Sequence, residues 1–353
     1  MWINIKPASE TTEPADLSEI YESLESLSQK NKPKVLYDNH PHYPEVLTAD
    51  MEYRESNFLH PDVIYFENGF GGYKYWLVMT PMPEAYENPC ILVSNNGINF
   101  KEPVAGINPL VPKPEGTGFN SDPDMVFVNG TFYLYYREVL VIEEEPLLRT
   151  ETIFLIKSTD GINWSSPIQC HQEEAGAIVH NFISPSVIYD DGTFYMFAYS
   201  RIDGTRYIGK STSADGETWT PFEGKSWTGL SGGGEYPWHL DCVLVDGVIY
   251  CATSINETGS GLYFGKSTDM GETWAFNTTP FMSPSHGFEG DRFYRPSLRN
   301  IPGTNLYEMW CSGVNPGVLT YIPLILVNDD FVPLEINSVF QRSAAKSFVQ
   351  RPS

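Results

Sequence analysis

The sequence predicts an all-β chain, a five-bladed β-propeller with a short N-terminal helical segment. Three observations carry that prediction. A polar residue, then Pro or Leu, then Asp or Ser opens an apolar strand five times: His60-Pro61-Asp62, Asp122-Pro123-Asp124, Ser184-Pro185-Ser186, His239-Leu240-Asp241 and Arg295-Pro296-Ser297. The central residues stand 62, 62, 55 and 56 apart, the near-constant period of stacked or radially arranged units. The stretch between 38 and 340 also lacks long 3.6-residue periodicity and is punctuated by Gly, Asn and Asp turns, the pattern of short strands in four-stranded blades.

Residues 1–37 form an extension in which Asp16 can cap a helix running to Gln29. Leu17, Ile20, Leu24 and Leu27 follow the 3-4-3 spacing of a coiled-coil seam. Two heptads associate weakly alone, so this helix either packs outside the propeller or forms a homotrimeric or other homo-oligomeric stalk through residues 17–27. In each repeat the motif strand is followed by an aromatic second strand: Tyr75-Trp76-Leu77, Phe132-Tyr133-Leu134-Tyr135, Phe194-Tyr195-Met196-Phe197, Val248-Ile249-Tyr250 and Leu306-Tyr307-Glu308. Asn129-Gly130, Asp191-Gly192, Asp246-Gly247 and Pro302-Gly303 supply hairpin turns between the two. A third strand ends in Ser before a turn such as Asp160-Gly161-Ile162-Asn163-Trp164 or Asp215-Gly216-Glu217-Thr218-Trp219. The sharpest such run, Ser267 to Trp274, is an Asp-box pattern that pins an outer hairpin. A lone blade cannot bury both faces of its sheet, so the five repeats make one closed domain over 38–340, with a tail at 341–353.

Composition narrows the function. A net charge of −23 excludes recognition of a nucleic-acid backbone, which needs clustered Lys and Arg. The five cysteines are scattered, without C-x-x-C spacing, and predict neither a zinc cluster nor a disulfide framework. Cys242 and Cys251, on two strands of one hairpin, read as core residues. No 18-residue apolar run predicts membrane insertion, and Met1 to Lys6 is unlike a secretory leader, so the expectation is a soluble protein, cytoplasmic or virion-associated. No cofactor and no metal centre is expected from motif spacing.

In a propeller the innermost strands begin at one mouth of the channel, so the residues before the Pro or Leu form a ring: His60, Asp122, Ser184, His239 and Arg295. One position earlier stand Leu59, Ser121, Ile183, Trp238 and Tyr294. Polar groups beside Trp and Tyr suit a sugar, whose apolar face covers an aromatic ring while charged groups bond its hydroxyls. The expected carbohydrate site therefore contains His60, Asp122, Ser184, Trp238, His239, Tyr294 and Arg295, with Glu87 contributed by a loop. The alternative is that ring residues satisfy one another, for instance as an Asp122–Arg295 ion pair. Asp62, Asp124, Ser186, Asp241 and Ser297 read as structural. Further loop candidates are Arg137-Glu138, His180-Asn181, Gly232 to Tyr236, Glu289 and Asp291.

This fivefold motif resembles the propellers of the furanosidase superfamily, the arabinanase and xylosidase hydrolases of glycoside hydrolase family 43. The resemblance implies a catalytic Asp before Pro in the first blade, a second Asp before Pro in the second, and a Glu acid two before Pro in the third. Only Asp122 matches. His60 and Ile183 occupy the other two places, and isoleucine cannot donate the proton that glycoside hydrolysis needs. Tyr73 to Pro81, Glu87 to Ile91 and Ser94 to Gly97 also resemble propeller domains of phage tail and receptor-binding proteins. The expectation is therefore a glycan-recognising, non-catalytic propeller of a virion tail or an adhesin. Its alternative is an active glycoside hydrolase in which a loop carboxylate (Glu87, Glu138, Glu235 or Glu289) joins Asp122 or Asp241.

Overall fold

The computed structural model describes residues 45–326, apart from 47, 54–57, 83–86, 145–146, 177–180, 203, 231–234, 257–260, 283–291, 303–305 and 315–317. The predicted helix at 17–27 and the boundaries at 37 and 340 lie outside the described residues. All regular structure among the described residues is β, and no helix there is long and apolar enough to cross a membrane.

Two short strands, β1 (Glu45–Val46) and β2 (Thr48–Asp50), precede five antiparallel meanders. The first is β3 (Phe58–Phe70), β4 (Tyr73–Pro81), β5 (Cys90–Ser94) and β6 (Asn99–Lys101). The second is β7 (Gly118–Val128), β8 (Thr131–Glu144), β9 (Leu147–Ser158) and β10 (Ile168–Gly176). The third is β11 (Ile183–Asp190), β12 (Thr193–Ile202), β13 (Thr205–Ser213) and β14 (Glu223–Thr228). The fourth is β15 (Pro237–Val245), β16 (Val248–Ile255), β17 (Leu262–Ser267) and β18 (Thr273–Phe276). The fifth is β19 (Arg292–Asn300), β20 (Leu306–Val314) and β21 (Val318–Leu326). Its outer strand is β1, which pairs with β21 (Glu45 opposite Tyr321), so the start of the described chain completes the last sheet. Parallel pairing of β14 with β18 joins the third and fourth meanders into one eight-stranded sheet.

The motif strands β3, β7, β11, β15 and β19 pack against one another in a closed cycle around the channel. Each repeat contains a bulge at its motif. Residues 60–61, 122–123, 184–185, 238–239 and 294–295 stand two against one on the second strand. Proline cannot donate to a ladder, and a bulge is where that loss is tolerated. In the first three repeats the residue before Pro adopts a left-handed backbone, with φ of 52° at His60, 51° at Asp122 and 48° at Ser184. This conformation strains a side-chain-bearing residue and is kept where the surrounding structure demands it, here to converge these side chains on Asp122.

One residue deeper than the Pro or Leu, a second ring ties each meander to the next. Asp62 accepts from the Met125 N–H (2.7 Å), Asp124 from Val187 (2.8 Å), Ser186 from Cys242 (2.9 Å), Asp241 from Leu298 (2.6 Å) and Ser297 from Val63 (3.1 Å). Every bond links position n of one repeat to position n+1 of the following one, and the fifth returns to the first. The structural role expected of these five residues is thus explicit. Each buried amide that its own sheet leaves unpaired finds a side-chain acceptor across the seam.

Farther out, the Asp-box turns behave as expected. Asp160 Oδ1 accepts from Ile162 N (2.8 Å) and Asn163 N (2.7 Å), and Trp164 closes the turn on the Gly161 carbonyl. The glycine of each turn also receives an aromatic side chain of the preceding repeat. A Cβ at Gly161 would lie 2.1 Å from Trp76, and one at Gly271 would lie 2.2 Å from Phe197. Tyr135 donates its hydroxyl to the Gly216 carbonyl (2.8 Å), and Trp310 its indole N–H to Gly97 (2.9 Å). Cys242 and Cys251 face each other on β15 and β16, both buried as free thiols in the core, as their sequence positions suggest.

Candidate metal and carbohydrate site

The left-handed bulges of the first three repeats and the bulge of the fourth bring His60, Asp122, Ser184 and His239 together in one buried cluster. Asp122 is the hub. Its Oδ1 accepts from Ser184 Oγ (2.9 Å) and lies 3.1 Å from His239 Nδ1 and 3.7 Å from His60 Nε2. Its Oδ2 accepts from Ser121 Oγ (2.9 Å) and stands 3.6 Å from the Arg137 guanidinium. Ser184 Oγ also meets His239 Nδ1 at 2.6 Å, and His60 Nδ1 meets Thr80 Oγ1 at 2.7 Å. Glu87 stands behind His60, 3.6 Å from Nδ1, so Glu87 and Asp122 flank opposite nitrogens of one imidazole.

Burial sets the charge state of these groups. It drives the imidazole of His60 down to about 3 and lowers that of His239, so both rings are neutral at pH 7. Burial alone would raise Asp122, but the histidines and Arg137 outweigh it and hold the carboxyl well below its usual range. With both imidazoles neutral, the hydrogen bond from His239 and the Arg137 guanidinium favour the ionised form of Asp122. Arg137 is itself fixed by Glu151 (2.8 Å) and by the Asn181 carbonyl (3.0 Å).

Two neutral imidazoles and one carboxylate, with donor atoms within 4.8 Å of one another, form a set that suits a divalent first-row metal ion. His239 Nε2 strengthens the fit. It is buried and has no hydrogen-bond partner among the described residues, although a buried ring nitrogen is ordinarily satisfied. No spacing motif announces this set, because each ligand comes from a different repeat. The signal that was present is positional: His, Asp and His occupy the same register of three motif copies.

Aromatic groups surround the cluster. The Tyr294 ring packs 4.0 Å from His239 and 5.3 Å from His60 by ring centroids, and burial raises its phenol above the usual value. Trp238 stands edge-on to His239 at 6.0 Å and is backed by Tyr199 and Tyr236. Arg295, predicted at the mouth, lies elsewhere. Its side chain is fully buried and bonds the carbonyls of Pro123 (2.6 Å) and Pro185 (3.2 Å) and the Asp124 carboxylate (3.3 Å). It therefore pairs with the second ring, and the cation beside Asp122 is Arg137. Ile183 is buried against Tyr199, Tyr236 and Trp238 and leaves no acid at that position. His180, Gly232 to Gly234, Glu289 and Asp291 lie outside the described residues.

No family model matches the chain. It is 28% identical over 306 residues to an A type blood N-acetyl-α-D-galactosamine deacetylase from Flavonifractor plautii, a match covering 73% of this chain and 39% of that protein. The chain thus spans well under half the length of this curated relative. Among solved structures, an N-acetylgalactosamine deacetylase from F. plautii in complex with blood group B trisaccharide aligns with TM-score 0.66 at 24% identity, over 76% of this chain and 85% of that one. A family 43 β-xylosidase/α-arabinofuranosidase from a compost metagenome aligns with TM-score 0.55 at 13% identity, over 83% and 98%. An exo-1,5-α-L-arabinanase from a bovine ruminal metagenomic library aligns with TM-score 0.55 at 15%, over 81% and 98%. The fold is a glycoside hydrolase 43-like β-propeller. Within that propeller, the residues before the Pro or Leu supply a buried histidine-rich donor set where the implied pair of hydrolytic carboxylates is missing.

Proposed function

We propose that the chain is a metal-dependent hydrolase that removes the acyl group from an N-acylated amino sugar. The observation that carries this reading is the His60, Asp122 and His239 set, with the buried Nε2 of His239 unpartnered. The similarity to a protein described as an N-acetylgalactosamine deacetylase supports it. A divalent ion bound there would supply Lewis-acid polarisation and an acidified water. The protein's own groups do the rest. Thr80 and Glu87 hold the Nδ1 side of His60, which fixes its ring with Nε2 toward Asp122. Ser184 positions both Asp122 and His239, and Arg137 helps to keep Asp122 anionic. Trp238 and Tyr294 pack beside His239 and give the donor set an aromatic wall.

The test is incubation with p-nitrophenyl N-acetyl-α-D-galactosaminide and its N-acetylglucosamine counterpart, with Zn²⁺, Mn²⁺ or EDTA. Acetate release that EDTA abolishes and metal restores is expected. Absence of acetate with every ion and both sugars would sink the reading.

A second reading keeps the carbohydrate and drops the chemistry: a glycan-recognising propeller of a virion tail or adhesin, oligomeric through residues 17–27. Its support is that Asp122, Ser184 and His239 already satisfy one another. Glycan binding without acetate release, by a protein of trimeric mass, is its expected outcome. Glycoside hydrolysis through the family's acid gains no support, since Ile183 fills that position and Asp122 is held ionised.

A further inference from the structure

Tyr294 belongs neither to the donor set nor to the closure of the ring. It occupies, in the fifth repeat, the place two before the Pro that Ile183 occupies in the third, and it shares its bulge with Arg295. The ring is clamped between His60 and His239, with the Arg292 guanidinium 5.8 Å from its centre. Tyr294 is partly exposed, and its hydroxyl makes no hydrogen bond to any described residue. The neighbouring hydroxyls differ: Ser121, Ser184 and Thr80 are each bonded within the cluster. A phenol whose ring is immobilised against two metal-type ligands while its O–H remains uncommitted is a preorganised donor.

We propose that Tyr294 is a catalytic residue whose phenolic O–H donates a hydrogen bond to the carbonyl oxygen of the scissile amide. The inference rests on the deacetylase reading. The water oxygen bonds to the carbonyl carbon, negative charge gathers on the carbonyl oxygen and is met by the Tyr294 hydroxyl, and then the C–N bond breaks. The departing nitrogen takes up both protons of the water, giving a protonated amine and a carboxylate. Nothing is oxidised or reduced, and Tyr294 keeps its proton throughout.

The decisive variant is Tyr294→Phe in the full chain. It removes an atom that bonds no described residue and retains the ring that packs on both imidazoles, so its melting temperature is expected to match the parent's. Loss of one oxyanion donor lowers kcat about 10²–10³-fold with KM within about threefold. Calorimetric affinity for a methylphosphonamidate of the amino sugar, a tetrahedral mimic of the reacting centre, is expected to fall by a similar factor, because the donor acts on the transition state. A kcat within threefold of the parent overturns the assignment. So does a loss confined to KM, which would make Tyr294 a contact to a sugar hydroxyl. If the parent protein itself releases no acetate, the deacetylase reading and this assignment fail together, and that outcome is distinguishable because it appears before any substitution.

Discussion

Replacing Gly161 by alanine tests whether the repeats are locked by aromatic plugs. Gly161 has φ of +73°, and an added Cβ would lie 2.1 Å from Cζ3 and 2.4 Å from Cη2 of Trp76. Trp76 has little room to retreat: it is 1% exposed, donates its indole N–H to the Phe70 carbonyl (3.1 Å) and packs on Phe132. The left-handed backbone alone costs an alanine about 1–2 kcal/mol, and overpacking a full core adds about 1–3 kcal/mol. Lower unfolded-state entropy returns about 0.4–1 kcal/mol. Gly161→Ala is therefore expected to destabilise by about 2–4 kcal/mol. Gly192→Ala is the control, because its φ is +83° but nothing lies within 4 Å of its added Cβ. It should cost about 1 kcal/mol or less. Urea denaturation of both variants, at unchanged m-value, gives the comparison. Equal losses, within about 0.5 kcal/mol, would show that the socket contributes nothing beyond backbone strain.

Three further outcomes are expected. Ser297→Ala leaves the buried Val63 N–H without its acceptor and should cost about 1–3 kcal/mol in urea denaturation; no loss would mean that the ring of seam bonds is dispensable there. Burial and the Asp62 carboxylate raise Asp241 to about 7, against the partly compensating Arg295 guanidinium, with Asp124 also nearby. A carboxyl raised in the folded state contributes stability that is present below its unfolded value near 3.8 and is lost as pH rises through 7. The stability of Asp241→Asn relative to the parent should thus improve as pH rises from 4 to 7, by at most about 1.4 kcal/mol per pH unit because Asp62 and Asp124 titrate with it, and a flat difference would contradict the assignment. Thr80→Val removes the partner of His60 Nδ1 and should weaken Zn²⁺ binding about 10–100-fold by calorimetry; unchanged affinity would separate His60 from the metal.

Much of the architecture was legible because it repeats. The interval between Pro61, Pro123 and Pro185 located the inner strands, and the aromatic doublets located their partners. What alternation could not convey was the bulge. A two-against-one insertion breaks the period-2 rule at the motif itself, so the depth of His60 relative to Asp62 does not follow from counting. The donor set was half legible: His60, Asp122 and His239 were placed at one mouth, but no spacing identifies ligands that stand on three different sheets. Arg295 went astray for a related reason. A long guanidinium can cross the channel to carbonyls 172 and 110 residues away, and nothing near Arg295 in the chain records those acceptors.

The seam bonds of Asp62, Asp124, Ser186, Asp241 and Ser297 leave the layer above them with little of the mechanical work. If the hoop is fastened at this level, with Arg295 tied into it, then His60, Asp122, Ser184 and His239 one step up carry less of the load that holds the sheets together. Such a division of labour lets one scaffold be refitted. A carboxylate pair, a histidine-rich donor set or a passive sugar cradle can each be installed on an unchanged foundation, and similar propellers described as arabinanase, xylosidase and deacetylase are what such a foundation permits.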